Sequence, residues 1–341
     1  MRNAVKFAIT LLVGVSLFYF VVKETGIEAI WEGIILFLRP EGLIIIATTF
    51  LIVFIGALRW REVIASQGKR VPLLLTIRYL VKGFTVDFLT PFSLFGGEAV
   101  RIFLMEKSLG LKKSATAAAI DKIMDVTMHF FFLVLGIVLF IIHGSEPSGV
   151  FLYYAGGVIT ALFFILFLFY QFALRKKSMI GWVFKIFGFS KNYLADNGNG
   201  KMVMEIERGI IRFFSFQRKE LLKGMALSFL RHLLLAFRVY IILFFLVGQT
   251  ELGHAFAVYG LTILSMLLPL PAALGGMEAI MALGFGTLGI GLTAGVAYAV
   301  TVRSADLIVC ALGIILFIRL SFTSFLKQFN LFIKNFSTEK E

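Results

Sequence analysis

Six ionisable residues stand out by type and spacing: Glu98 and Glu278, Lys122 with Asp125, and Arg303 with Asp306. Each glutamate closes a P-x4-G-x-E pattern, Pro91 to Glu98 and Pro271 to Glu278. Each of the other pairs sets a cation and an aspartate three residues apart, which is one face of a helix. Such groups can hold an oxyanion, exchange a proton or neutralise one another. Gly96 and Gly97, like Gly275 and Gly276, permit close backbone approach. A helix starting there presents unpaired N–H groups that attract a phosphate or carboxylate. Arg101, one turn beyond Glu98, can join them, and Arg238 can reach a lipid headgroup. Two readings stand for the K/R-x-x-D pairs, parts of a site or neutralised structural pairs. The glutamates likewise either bind or cap the half-helices that follow them.

The elements that carry these residues are membrane helices. The chain has 341 residues, 59% of them hydrophobic and 16% charged, with a mean hydropathy of +0.93. Soluble domains run at roughly 45–50% apolar and about 25% charged, so the bilayer is the natural solvent here. In lipid only helices or closed barrels satisfy their backbone. The apolar runs are long and do not alternate, which excludes a barrel and sets the fold class as an all-α polytopic membrane protein. In that setting a charge at a helix centre costs about 2.5–3.5 kcal/mol on insertion scales. The six residues must therefore pair or line a wet cavity.

Spanning segments are expected at 6–22, 42–58, 114–142, 150–174, 223–247 and 293–320, each long enough for a hydrocarbon core about 30 Å thick. The first, behind Arg2 and Lys6, lacks a cleavage site and is read as a retained helix. The stretches 72–107 and 252–289 are apolar but broken at their centres, by Pro91 in the first and by Pro269 and Pro271 in the second. Broken pairs at corresponding positions point to re-entrant or discontinuous hairpins. Basic residues gather at 59–71, 107–113, the linker 175–222 and the C-terminal tail, whereas 143–149 and 248–254 have no Lys or Arg. The positive-inside rule then places both termini in the cytoplasm of a multi-pass cell-membrane protein; Lys23 and Arg39 are a mild exception. Two full crossings per hairpin preserve the same parity, so loop charge does not separate them from re-entrant ones.

Outside the spans, Ile27, Ile30, Trp31, Ile34 and Leu38 predict an interfacial helix on the outer face. Residues 196–200 predict a turn and 202–214 a surface helix. Arg78, Lys82, Asp87 and Asp121 are expected near the cytoplasmic end and so solvated. Arg231 is expected to snorkel. The net charge of +13 reads as topology, so no nucleic-acid partner is expected. Cys310 is the sole cysteine, which rules out an intrachain disulfide. His129 and His232 show no second ligand at metal spacing, so neither metal nor cofactor is expected. G-x4-G-K-[ST], H-E-x-x-H and G-x-S-x-G are missing, which excludes the chemistry those motifs carry.

The broken stretches match one another in order. Besides P-x4-G-x-E, Gly83-Phe84-Thr85 aligns with Gly260-Leu261-Thr262, Leu109-Gly110 with Leu288-Gly289, and Lys122-x-x-Asp125 with Arg303-x-x-Asp306. Three crossings separate the hairpins, and an odd number inverts the second copy. The units 42–142 and 223–320 are thus expected to form an inverted repeat with the hairpin tips meeting near the midplane.

The string Pro91 to Arg101, PFSLFGGEAVR, with the later P-x4-G-x-E and R-x-x-D, resembles the lysylphosphatidylglycerol synthase transmembrane-region family. That flippase-like family includes the membrane half of the bacterial multiple peptide resistance factor. The resemblance implies translocation of a lipid with a modified headgroup between leaflets. Members with the full activity add a C-terminal aminoacyl-transferase domain; this chain ends soon after its last span, so the synthase reaction is not expected of it. The expectation is a lipid flippase with membrane lipids as partners and a possible separate lipid-modifying enzyme. An intramembrane transferase acting on a lipid phosphate, and a non-catalytic membrane subunit for a synthase, are the alternatives.

Overall fold

Apolar runs bounded by polar or glycine-containing turns fold as helices throughout the described chain. The computed structural model describes residues 26–90, 96–145, 148–186, 198–248, 250–268, 270 and 273–318, with 15, 16, 18–20, 22 and 23 of the first apolar segment. In order the helices are α1 (Glu28–Leu38), α2 (Pro40–Ser66), α3 (Leu73–Leu89), α4 (Gly96–Leu109), α5 (Leu111–His143) and α6 (Gly149–Leu174). There follow α7 (Met179–Ile186), α8 (Gly198–Phe216), α9 (Arg218–Val247), α10 (Leu252–Met266), α11 (Gly276–Thr287) and α12 (Leu292–Ile318). Among the described residues, the 5 helices α2, α5, α6, α9 and α12 are long and apolar enough to cross a membrane. The chain is an all-α polytopic membrane protein. The expected span at 6–22 lies mostly outside the described residues; its described positions are helical.

The spans extend beyond their apolar cores. Helix α2 continues to Ser66 and stops before Gly68, whose φ of +91° suits a helix C-terminus. The expectation of a basic loop beginning at Arg59 is corrected here: Arg59 and Trp60 are buried within the helix. Charges end a hydropathy window, but they do not end a helix when they point inward to partners.

Each broken stretch is two arms, α3 with α4 and α10 with α11. At 17, 14, 15 and 12 residues the arms measure roughly 18–25 Å, short of a core of about 30 Å. Pro91, Pro269 and Pro271 lie outside the described residues. Next to the second break, Ala273 and Gly275 adopt φ of +51° and +74°.

Helix α1 turns its apolar stripe outward and its small residues inward. Ile27, Trp31 and Leu38 are exposed, while Ala29, Gly33 and Leu36 are buried. Its small residues face α12, where a Cβ on Gly33 would lie 2.6 Å from the Ala297 carbonyl. Lipid solvates the large apolar residues, so close helix contact falls to the small ones. The linker 175–222 contains α7 and α8, and residues 198–200, expected in a turn, begin α8.

The packing pairs have a regularity. Exchange of α1–α5 with α8–α12 converts α5 on α10 into α12 on α3, α1 on α12 into α8 on α5, and α2 on α9 into itself; all of these contacts are present. Gly136 of α5 abuts Gly260 of α10, and Gly313 of α12 abuts Thr85 of α3. Gly33 and Gly209 begin the same string, G-I-I-x-F, and each packs on the partner unit's long helix. Helices α1 and α8, whose packing matches under this exchange, begin before residues 42 and 223.

Candidate functional site

In the first unit the polar residues form one chain of ion pairs. Helix α4 starts where the Gly97 N–H donates to Asp87 Oδ1 at 2.7 Å. A Cβ on Gly97 would collide with that carboxylate and with the Gly83 carbonyl, so glycine is what lets the two arms close. The expected free anion-binding terminus is thus capped internally at this N–H. Glu98, on the next residue, lies 3.0 Å from Arg101 and 3.2 Å from Lys122. Arg101 donates onward to Asp121 Oδ2 at 2.7 Å and stacks over the Trp60 ring. Asp121 Oδ1 accepts from Arg59 Nε at 2.7 Å, and Arg59 Nη1 reaches Asp125 Oδ1 at 2.6 Å and Ser228 Oγ at 2.9 Å. Arg231 Nη1 of α9 completes the chain on the same Asp125 oxygen at 2.7 Å.

Several expectations change on this geometry. Asp121 is 1% exposed, held by two guanidiniums instead of solvent. Arg231 turns inward to Asp125. Lys82 is buried with Nζ above the Phe317 ring, and Arg78 is exposed. Lys122 and Asp125 ion-pair with groups on other helices, so the K-x-x-D spacing is not a self-neutralising pair.

His129 and His232 are neighbours across α5 and α9. Each Nδ1 lies within 2.9 Å of a backbone carbonyl of its own helix, and a carbonyl can only accept, so each Nδ1 carries the hydrogen. The one hydrogen on His129 Nδ1 is shared between the Asp125 carbonyl and His232 Nε2, 3.2 Å away. Together with Asp125 their ligand atoms lie within 4.8 Å of one another, a grouping that sequence spacing concealed. Two guanidiniums already occupy Asp125, which makes a divalent cation there electrostatically expensive.

The second unit repeats the core of this pattern with fewer charges. Glu278, 1% exposed, lies 3.0 Å from Arg303, as Glu98 lies beside Lys122. Arg303 also donates to the Ala273 carbonyl at 2.5 Å, bracing the break before Gly275 and Gly276. Asp306 accepts from Arg238 Nη1 at 3.1 Å, and Thr49 Oγ1 lies 3.2 Å from the same nitrogen. Arg59 and Arg238 therefore do the same job in the two units. Both follow an A-x-R string, Ala57-Leu58-Arg59 and Ala236-Phe237-Arg238, a signal that could have identified Arg59.

Arg231 and Arg238 stand two turns apart on α9, a rise of about 10 Å, so this helix carries one member of each cluster. The edges of both clusters reach partial exposure, 22% at Lys122 and 17% at Asp306. The arrangement can neutralise, position and exchange charged groups within a helical bundle.

The profile described as Lysylphosphatidylglycerol synthase TM region matches residues 5–313. Neither the curated proteins nor the solved structures yielded a match. With the match spanning both hairpins and both ion-pair clusters, the chain belongs to the lysylphosphatidylglycerol synthase transmembrane-region family.

Proposed function

We propose that this protein is a flippase-like transporter that moves a polar-headgroup lipid or lipid-linked substrate between leaflets of the cell membrane. The observation that carries the reading is the paired construction of the two hairpins. In each, a glutamate two residues after the start of the second arm is ion-paired to a cation of the next spanning helix, Glu98 to Lys122 and Glu278 to Arg303. Intramembrane charges are costly and mark substrate pathways, and two matching half-sites on broken helices suit alternating access. The units are related by inversion in this reading, with both termini cytoplasmic and each hairpin entering from its own face. Headgroups exchange places with internal ion-pair partners while acyl chains stay in lipid. Gly96, Gly97, Glu98, Arg101, Lys122 and Asp125 form one half-site; Gly275, Gly276, Glu278, Arg303, Asp306 and Arg238 form the other.

The test is translocation in liposomes holding the purified full chain, with fluorescent lipids of several headgroups and an impermeant quencher. Protein-dependent movement of at least one headgroup class is expected. Equal rates in protein-free vesicles for every headgroup would remove the transport reading. Product formation from a lipid-phosphate donor, lost in Glu98→Gln, would replace it with the transferase.

A further inference from the structure

The two units differ in how the arginine beside the aspartate is satisfied. In the first, Arg59 serves two carboxylates, Asp121 through Nε and Asp125 through Nη1. In the second, Arg238 serves Asp306 through Nη1, and its Nε is shielded from solvent with no hydrogen-bond partner among the described residues. The cause is legible in the chain. Asp121 stands one helical turn before Asp125, and the residue one turn before Asp306 is Val302. Met281, three residues beyond Glu278, likewise stands where the first unit has Arg101 beyond Glu98.

A guanidinium is a fork of five donors suited to planar, two-oxygen acceptors. Arg238 is 5% exposed, and leaving a buried charged donor without an acceptor is unfavourable. Asp306 and Arg303, at 17% and 12% exposed, form the open edge of this cluster.

Resting on the transport reading above, we infer that the second unit holds a specific oxyanion site. A phosphate oxygen binds Arg238 Nε in the role that Asp121 plays for Arg59. The first unit pairs this nitrogen with its own carboxylate, and the second leaves it for a ligand's. The phosphate belongs to a lipid headgroup or to free inorganic phosphate, which share this chemistry.

The test is binding of fluorescent phosphatidylglycerol to the full chain in nanodiscs of neutral lipid, with thermal unfolding measured alongside. Arg238→Lys keeps a cation for Asp306 but removes Nε, and is expected to weaken binding at least tenfold. Val302→Asp supplies the missing carboxylate, and is expected to abolish binding with an unfolding midpoint no lower than wild type. Binding of Arg238→Lys within twofold of wild type overturns the inference, and that arm decides alone if Val302→Asp fails to fold. Competition by millimolar inorganic phosphate assigns the site to the free anion; indifference to it assigns it to the lipid. Arg238-dependent binding without translocation would keep this inference and remove the transport reading. Translocation unaffected by Arg238→Lys would do the reverse.

Discussion

Arg59 and Asp121 meet at 2.7 Å between α2 and α5, at 4% and 1% exposure, and join the hairpin to the bundle through Arg101. A pair this buried costs desolvation that only full hydrogen bonding offsets, so removal of one member is worse than removal of both. Asp121→Asn leaves two guanidiniums facing a neutral amide and should cost about 3–5 kcal/mol. Unfolding of the detergent-solubilised protein, followed by thermal melt, checks this. A midpoint within a degree of wild type would mean that the cluster is hydrated and contributes little.

Gly136 and Gly260 set a second, purely steric prediction. A Cβ on Gly136 would lie 2.5 Å from the Gly260 Cα and 2.6 Å from the Phe256 carbonyl, both backbone atoms that cannot rotate away. Gly136→Val should therefore separate α5 from α10 at a cost of about 1–3 kcal/mol or more. Gly156, with nothing within 4 Å of its Cβ position, is the matched control, and Gly156→Val should leave the melting midpoint close to wild type. Equal destabilisation by both would show that the effect is general to glycine replacement in this bundle.

These relationships were unevenly legible in the sequence. The five long spans, the broken hairpins and the P-x4-G-x-E repeat follow from local hydropathy and turn chemistry, which operate within a few residues. The partners of Asp125 do not, because Arg59 and Arg231 lie 66 and 106 residues away, and periodicity carries no information at that range. Arg59 was hidden by its neighbours: Arg61 two residues on is partly exposed, and only helical phase separates the inward charge from the outward one. On α1 the stripe of Ile27, Trp31 and Leu38 faces outward, and the close contact with α12 is made at Gly33, which hydropathy alone does not mark.

The paired glutamates give a functional prediction. Glu98→Gln leaves Lys122 and Arg101 with a neutral partner, and Glu278→Gln does the same to Arg303. If the hairpins are the moving half-sites, each single change should lower the protein-dependent translocation rate at least tenfold, and the double change should be no worse than about the product. Since Glu278 is the more buried, at 1% against 15% for Glu98, its change should also show the larger loss of thermal stability. Wild-type transport by both variants would reduce the glutamates to caps of α4 and α11.

The relative orientation of the two units is open to direct measurement. The loop from Gln67 to Pro72 leads into α3, and Thr250 and Glu251 lead into α10. Inversion requires these two entrances to face opposite sides, because α5, α6 and α9 cross the membrane between the hairpins. Charge agrees, with Lys69 and Arg70 in the first loop and no Lys or Arg in the second. The chain's single cysteine, Cys310, is buried, so Cys310→Ser provides a clean background for Lys69→Cys and Glu251→Cys. An impermeant maleimide added to intact cells should label position 251 and spare position 69 until the membrane is opened. Labelling of both from outside, or of neither, would place the two entrances on one face. The matched contacts of α3 on α12 and α10 on α5 would then need a parallel arrangement, which three intervening crossings do not permit without one of them turning back.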